Sequence, residues 1–316
     1  MSLRRFIIKR VLVTIPVLLG VTILTFGMVH FIPGDPIDYI TAFVDLDPGQ
    51  RDEIRAQYGL HHPIHIQYIN WVSDAVMLDF GNSIVTNRPV SAEIRTRLPY
   101  TLLMGTLALV VTLIVAIPSG IVAAYYRNTK IDEFSRIFAL FGISMPNFWL
   151  GLILLLIFAS FLGWFSFLPP TGEGLLSIPM ITYSILPAIA IGTAAAALLM
   201  RLMRSAMVEE LNKDYVMTAR AKGLPERAVV QKHVLRNSLI SVVTVTALQV
   251  AFIISGSVVI EIVFSYPGIG RLLVNSVSAR DFPVIQALVL MIGVFVIVAN
   301  LLADIVYAYL DPRIRY

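Results

Sequence analysis

Six separate stretches of this 316-residue chain are long and apolar enough to cross a bilayer: Val11 to Phe31, Leu98 to Tyr126, Ile137 to Leu162, Ile181 to Met200, Ser238 to Ile260 and Phe282 to Ala303. A helical crossing needs about 20 apolar residues to traverse roughly 30 Å of hydrocarbon. Composition agrees, since only 14% of residues are charged against about 25% in soluble domains. The pattern predicts an all-α, polytopic membrane protein with six transmembrane helices. The first stretch outruns the roughly 7–15 apolar residues of a secretory signal. No small-x-small cleavage site follows His30-Phe31-Ile32-Pro33, so the stretch reads as a retained span.

Basic residues near span ends set orientation. With the N-terminus inside, Arg4, Arg5, Lys9, Arg10, Arg127, Lys130, Arg136, Arg313 and Arg315 all fall on the inner face. So do the eight Lys/Arg between Arg201 and Asn237. Both termini are therefore expected in the cytoplasm, and the chain divides into 1–31 (tail and first span), 32–97 (an extracytoplasmic segment) and 98–316 (a five-helix core).

The interval Arg201 to Asn237 stands out because it is charged and patterned between two uncharged apolar runs. Its eight basic and four acidic residues account for the whole formal net charge of +4. Glu209 to Lys222 reads as a helix, and Gly223 is suited to the left-handed conformation that ends one. Pro225 is preorganised for the first turn of a second helix, where Glu226 suits the positive dipole end. The expectation is a compact hairpin of two helices across the cytoplasmic face, with Asp214, Arg220, Lys222, Arg227, Lys232 and Arg236 as exposed polar groups. A hairpin bound only to anionic lipid head groups explains the basic residues. It does not explain the Gly-Leu-Pro break or the interleaved acids, and docking to a protein partner is the favoured reading.

In the segment 32–97, Asp47-Pro48 is expected to start a helix running to Gly59, and Pro63 a second one with Ile69, Val72 and Val76 at helical spacing. Ser91 is expected to cap the helix entering the second span. This segment either covers the outer mouth or meets an external partner, or is a packed cap. Pro16, Pro118, Pro146 and Pro187 each remove a backbone donor inside a span and mark sites of kinking. The run Gly192-Thr193-Ala194-Ala195-Ala196-Ala197 suits close helix packing.

Several chemistries are excluded by what the sequence lacks. No cysteine is present, which removes disulfides, thiolate metal sites and thiol nucleophiles. No phosphate-binding loop, zinc-protease helix or nucleophile elbow occurs. An energy-coupled transporter with this sequence needs a separate ATPase. The basic pI of about 9.3 reflects topology, not nucleic-acid binding. His61-His62-Pro63-Ile64-His65 reads as a solvated loop. A stand-alone secondary transporter or channel would carry several ionisable groups at mid-span, and an intramembrane enzyme would carry facing catalytic groups; neither pattern is evident.

The stretch Thr218-Ala219-Arg220-Ala221-Lys222-Gly223-Leu224, followed by His233-Val234-Leu235-Arg236-Asn237, resembles the EAA loop of ABC-importer permeases. More narrowly, it resembles the form found in the B-type permease of dipeptide and oligopeptide importers. Met217-Thr218-Ala219 stands where the general pattern has Glu-Ala-Ala, and Leu235-Arg236 where it has Leu-Pro; both departures are usual for the peptide-permease branch. The resemblance continues in Pro33-Gly34-Asp35-Pro36, Tyr58-Gly59-Leu60, Asp79-Phe80-Gly81-Asn82-Ser83, Arg97-Leu98-Pro99-Tyr100-Thr101, Phe264-Ser265-Tyr266-Pro267-Gly268-Ile269-Gly270 and Asp311-Pro312-Arg313.

This resemblance implies a multi-pass permease in a prokaryotic inner (plasma) membrane, without catalysis of its own and without a cofactor or metal. ATP and Mg would act in two partner ATPase subunits. A second, similar permease and an extracytoplasmic substrate-binding protein would complete the importer, with membrane lipid around it. Asp214, Tyr215, Ala219, Arg220, Ala221, Lys222, Gly223, Leu224, His233, Arg236 and Asn237 would form the ATPase-coupling surface. The transported solute would be a dipeptide, an oligopeptide or a similar small molecule.

Polar groups inside spans are costly and often functional. Glu261, before the Pro267-Gly268 turn, either lines the outer gate or is simply exposed at the interface. Gln249 and Asn147 are candidates for the pathway. Asn300 and Asp304 share a helix face and are expected to pair with basic residues of the charged loop.

Overall fold

A computed structural model describes residues 3–31, 49–50 and 61–310. The helix expected from Asp47 to Gly59 falls almost wholly outside these residues, as do the Pro33-Gly34-Asp35-Pro36 and Asp311-Pro312-Arg313 motifs. Among the described residues every regular element is helical, and an isolated bridge pairs Asn82 with Pro89.

The long helices are α1 (Leu3–Phe31), α3 (Val90–Tyr125), α6 (Ile178–Leu211), α9 (Leu235–Val263) and α11 (Phe282–Leu310). Shorter ones are α2 (Ile64–Val76), α4 (Lys130–Ser144), α5 (Asn147–Leu154), α7 (Asp214–Ala221), α8 (Glu226–Ala228) and α10 (Ile269–Ala279). Among the described residues five helices are each apolar and long enough to span a membrane, and the bent pair α4–α5 makes up to 6.

The third apolar stretch is therefore not one straight helix. It breaks at Met145-Pro146, and the halves meet at 101°. A residue before proline is pushed out of the helical region. Met145 sits at φ −85°, ψ 124° and Pro146 at φ −61°, ψ 133°, so two consecutive residues are extended and the helix restarts at Asn147. Pro16, Pro118 and Pro187 instead lie within uninterrupted helices. The helix before the second span begins at Val90 with Pro89 ahead of it, so Ser91 is an internal residue and not the cap. Ser177 does cap α6, its Oγ accepting from the Met180 N–H at 3.3 Å.

Between lipid-embedded helices, close contact and hydrogen bonding replace the hydrophobic effect as the force for packing. Among the described residues the α3–α6 pair is the most extensive, and it uses the small residues the sequence supplies. Ala108, Ala116, Ala190 and Ala196 on these two helices are buried, and the Thr112 hydroxyl donates to the Gly192 carbonyl at 3.2 Å. Helix α1 packs on α11 and α2. An ion pair, Arg10 to Asp304 at 3.1 Å, ties α1 to α11, so Asp304 pairs with the first helix and not with the charged loop. Helix α2 lies on α1 through Tyr68, whose hydroxyl meets the Thr22 hydroxyl at 2.8 Å, and through Phe26 stacked edge-on to Tyr68.

Candidate functional site

The charged interval forms the hairpin expected of it, with two differences. Helix α6 runs unbroken out to Leu211. After a turn at Asn212-Lys213 the chain re-forms as α7, so Glu209 to Lys222 is two helices. The second arm is also not a separate piece: α8 passes through a π-helical turn, Val229–Val234, directly into α9. The second arm is therefore continuous with span α9, and the first is joined to span α6 by a two-residue turn.

The bend between the arms is set by local chemistry. Gly223 adopts φ +78°. Its N–H donates to the Arg220 carbonyl at 2.9 Å, and the Leu224 N–H to the Ala219 carbonyl at 3.4 Å. These are the two bonds of a Schellman motif, which satisfy carbonyls the end of α7 would otherwise leave bare. Pro225 (φ −64°, ψ 142°) precedes α8 instead of occupying its first turn, and its carbonyl accepts from Ala228 at 2.8 Å. Arg220 closes the bend with a two-point bond to Glu226, at 3.0 and 2.6 Å. Both partners are about two-fifths exposed (41% and 43%), so this pair contributes about 0–1 kcal/mol.

One face of the hairpin is anchored. Val216, Ala219, Val229, Val230 and Val234 are buried with Met203, Met207, Ala123 and Ala124 in one apolar cluster at the ends of α3 and α6. Tyr215 joins the arms: its hydroxyl donates to the Glu210 carboxylate, receives the Asn237 amide at 3.0 Å and approaches the His233 carbonyl at 3.4 Å. Lys213 also pairs with Glu210. Tyr215, His233 and Asn237 are thus brought together, while Ala219 turns inward. Asp214, Ala221, Lys222, Gly223, Leu224 and Arg236 remain on the exposed face. Met217 and Leu224 are 55% and 41% exposed there.

Sequence reasoning missed the ion pair at the foot of this hairpin. Asp132, with no exposed surface, takes a two-point bond from Arg204 at 2.6 and 2.7 Å. It also accepts from the Asn128 N–H at 3.1 Å and lies 3.7 Å from Arg136. Arg204 keeps 21% of its side chain exposed, so removing one partner costs less than the roughly 3–5 kcal/mol of a fully buried pair. In the sequence Asp132 is an acid in the first turn of α4 and Arg204 one of the eight basic residues of the charged interval, and nothing local joins them.

At the far end from the hairpin, Glu261 is fully buried and not exposed at the interface. Thr101 donates to it at 2.8 Å and the Arg271 N–H at 2.9 Å. The Thr101 hydroxyl in turn accepts from the Ile269 N–H at 2.9 Å, so Glu261 pins the start of α10 to α3 and α9. Tyr266 stacks on Tyr183 with centroids 5.9 Å apart and bonds Ser184 at 2.9 Å. Asp281 accepts from Ser83 and from the Ile84 N–H at 3.2 Å, docking the loop 81–89 on the same end. Gln249 is buried midway along α9, and Asn147 is half-buried at the first position of α5. Among the described residues no cluster of His, Asp and Glu could hold a metal ion.

Comparison with known proteins agrees with this architecture. Residues 116–316 match the family described as binding-protein-dependent transport system inner membrane component. Residues 3–105 match the N-terminal family of the same transport-system membrane components. The chain is 43% identical over 319 residues to the oligopeptide transport system permease protein AppB of Bacillus subtilis (strain 168), covering 98% of this chain and 99% of that protein. It is 43% identical over 311 residues to the glutathione transport system permease protein GsiC of Escherichia coli (strain K12), with the same coverage of both. A crystal structure of an amino acid ABC transporter with histidines has the same fold over 69% of this chain and 94% of its own, with a TM-score of 0.54 at 12% identity. Permeases of this kind are non-catalytic, and ATP hydrolysis belongs to separate ATPase partners. The chain belongs to the binding-protein-dependent transport system inner membrane components, as a B-type permease subunit of an ABC importer.

Proposed function

We propose that this permease forms half of the translocation pathway for peptides or peptide-like solutes, and that the hairpin 212–237 seats on an ATPase subunit. The substrate class is supported by equal identity, 43%, to an oligopeptide and a glutathione permease, since glutathione is itself a tripeptide. A second, similar permease completes the pathway, two ATPase subunits dock beneath the pair, and an extracytoplasmic binding protein delivers the solute. Both termini lie on the ATPase side. Solute choice rests largely with the binding protein.

The observation that carries the docking reading is the two-faced hairpin. One face is buried among the span ends. The other presents Met217 and Leu224 beside Lys222, Arg227 and Arg236. Lipid head groups would account for the bases but not for a Schellman bend that fixes the shape between them. ATP-driven closure of the ATPase pair pushes the hairpin and tilts α6 and α9, which alternates access to the pathway. Glu261 serves the outer end by holding its turn, and Asn147 and Gln249 are the span amides assigned to the pathway.

Two substitutions test this. A β-branched residue at Gly223 pays about 1–2 kcal/mol for the left-handed conformation, although nothing lies within 4 Å of an added Cβ. Gly223→Val and Lys222→Glu are expected to lose co-purification with the ATPase and solute uptake, while the binding protein still captures its solute. Gly223→Asn, which tolerates that conformation, keeps both. Normal ATPase binding and uptake in the first two variants would sink the docking reading.

A further inference from the structure

The broken third span connects the two ends of the molecule, and its joints are visible. Helix α4 lies antiparallel along α6 and touches it closely at both of its ends. At the hairpin end the joint is Asp132–Arg204, with both carboxylate oxygens bonded by one guanidinium. Arg204 stands seven residues before the end of α6, on the helix that runs into the hairpin. At the other end a Cβ on Gly142 would sit 2.9 Å from the Ala197 methyl and 3.5 Å from the Thr193 carbonyl, so the two backbones are in near contact just before the bend. Beyond the bend, α5 presses on the outer turn: a Cβ on Gly151 would lie 3.0 Å from the Phe264 ring. Phe264 is buried and stands beside Ser265 and Tyr266, the turn that Glu261 holds.

We infer that Asp132 is a positioning residue for energy coupling: through Arg204 it makes α4 move with the hairpin-bearing end of α6, so that the bent pair α4–α5 carries hairpin motion to the outer turn. This rests on the proposed docking of the hairpin to an ATPase. A fork-to-fork bond between guanidinium and carboxylate fixes orientation as well as distance, which a single-point contact does not. The other faces of the joint are also accounted for. Arg136 approaches from α4 itself at 3.7 Å, and the Asn128 N–H from the preceding turn at 3.1 Å. Asp132 is thus saturated, and losing it frees Arg204 to turn toward solvent, where it is already 21% exposed. The joint is then slack, although the hairpin keeps its own turn, its own Tyr215 network and its exposed face.

The experiment uses the complete importer in proteoliposomes, with ATP hydrolysis and uptake of a dipeptide measured in the same vesicles. Asp132→Asn is expected to lower solute moved per ATP by roughly two- to thirty-fold, the range by which residues linking distant sites alter coupling. Co-purification of the ATPase and its hydrolysis rate stay at the parental level. That profile separates this joint from the hairpin, whose failure removes the ATPase altogether. Because Asp132→Asn also weakens a buried contact, a second variant guards against mere misfolding. The chain has no cysteine, so Asp132→Cys with Arg204→Cys can be bridged by a short bifunctional thiol reagent. The unbridged double variant is expected to be uncoupled, and bridging to restore solute moved per ATP. Parental coupling in Asp132→Asn, equal loss of hydrolysis and uptake, or failure of the bridge to restore coupling would each overturn the inference.

Discussion

A carboxylate with no exposed surface has to be matched at its oxygens, and Glu261 is matched by groups that arrive from elsewhere in the chain. Thr101 comes from 160 residues away and the Arg271 N–H from the first turn of α10. A buried donor left without its acceptor costs about 1–3 kcal/mol. Glu261→Ala strands these two donors and the Ser257 hydroxyl, which also reaches the carboxylate at 3.3 Å, whereas Glu261→Gln keeps one carbonyl oxygen and can still take some of them. Thermal unfolding in detergent should therefore rank parent above Glu261→Gln above Glu261→Ala. Equal midpoints for the two variants would mean the carboxylate is not what holds the turn. The position of Glu261 was legible in the sequence, at the end of a span before Pro267-Gly268. Its role was not, because its burial and its partners Thr101 and Arg271 are properties of the assembled helices. Asp132 and Arg204, 72 residues apart, were hidden for the same reason. Gly223 was legible in full, since its left-handed conformation depends only on its immediate neighbours.

Among the elements, the hairpin shows how far local signals reach. The Gly-Leu-Pro break was readable, and so was the face that carries Lys222 and Arg236. What the periodicity did not reveal is that the second arm continues into α9 through a π-helical turn, because apolar periodicity runs on unchanged across Val229–Val234. The four span prolines teach the same lesson from the other side. Their local rule is identical, yet only at Pro146 does the chain break, where Met145 is extended as well and contacts at Gly142 and Gly151 hold each half against a different neighbour. The Tyr215 network has a consequence in titration. Burial and then the Glu210 carboxylate push the Tyr215 phenol above its ordinary value of 10.0. The bond to Glu210 likewise raises the Lys213 ammonium above 10.5. Both groups are raised on folding, so their contribution is complete below those ordinary values and disappears only as pH rises through the folded ones. The network should be indifferent to pH from about 6 to about 9, within which neither reference group titrates. The tyrosinate absorbance difference between the parent and Tyr215→Phe should show Tyr215 ionising above pH 10.0. Ionisation at or below that value would mean the phenol is not held between the arms.

At the scale of the whole molecule, the sequence and the fold agree on spans and differ on how the third one crosses. Counting apolar residues treats Ile137 to Leu162 as one straight crossing; the chain instead bends by 101°, yet it still passes from one end of the molecule to the other, since Asp132 is held at the hairpin end and Gly151 lies against Phe264 at the opposite one. The loop before α6 therefore lies at the end opposite the hairpin, and α6 returns the chain to the hairpin end. The distribution of basic residues favours a crossing, because Arg127, Lys130 and the hairpin then share a face with Arg4, Arg5 and Lys9. The absence of cysteine makes this directly measurable. Arg88→Cys, Arg127→Cys, Thr171→Cys and Arg227→Cys each place one thiol at an exposed position in a different connecting segment. In intact cells, a membrane-impermeant maleimide should label Arg88→Cys and Thr171→Cys. It should reach Arg127→Cys and Arg227→Cys only after the membrane is permeabilised. Labelling of Arg127→Cys and Thr171→Cys from the same side would show that the bent pair does not cross.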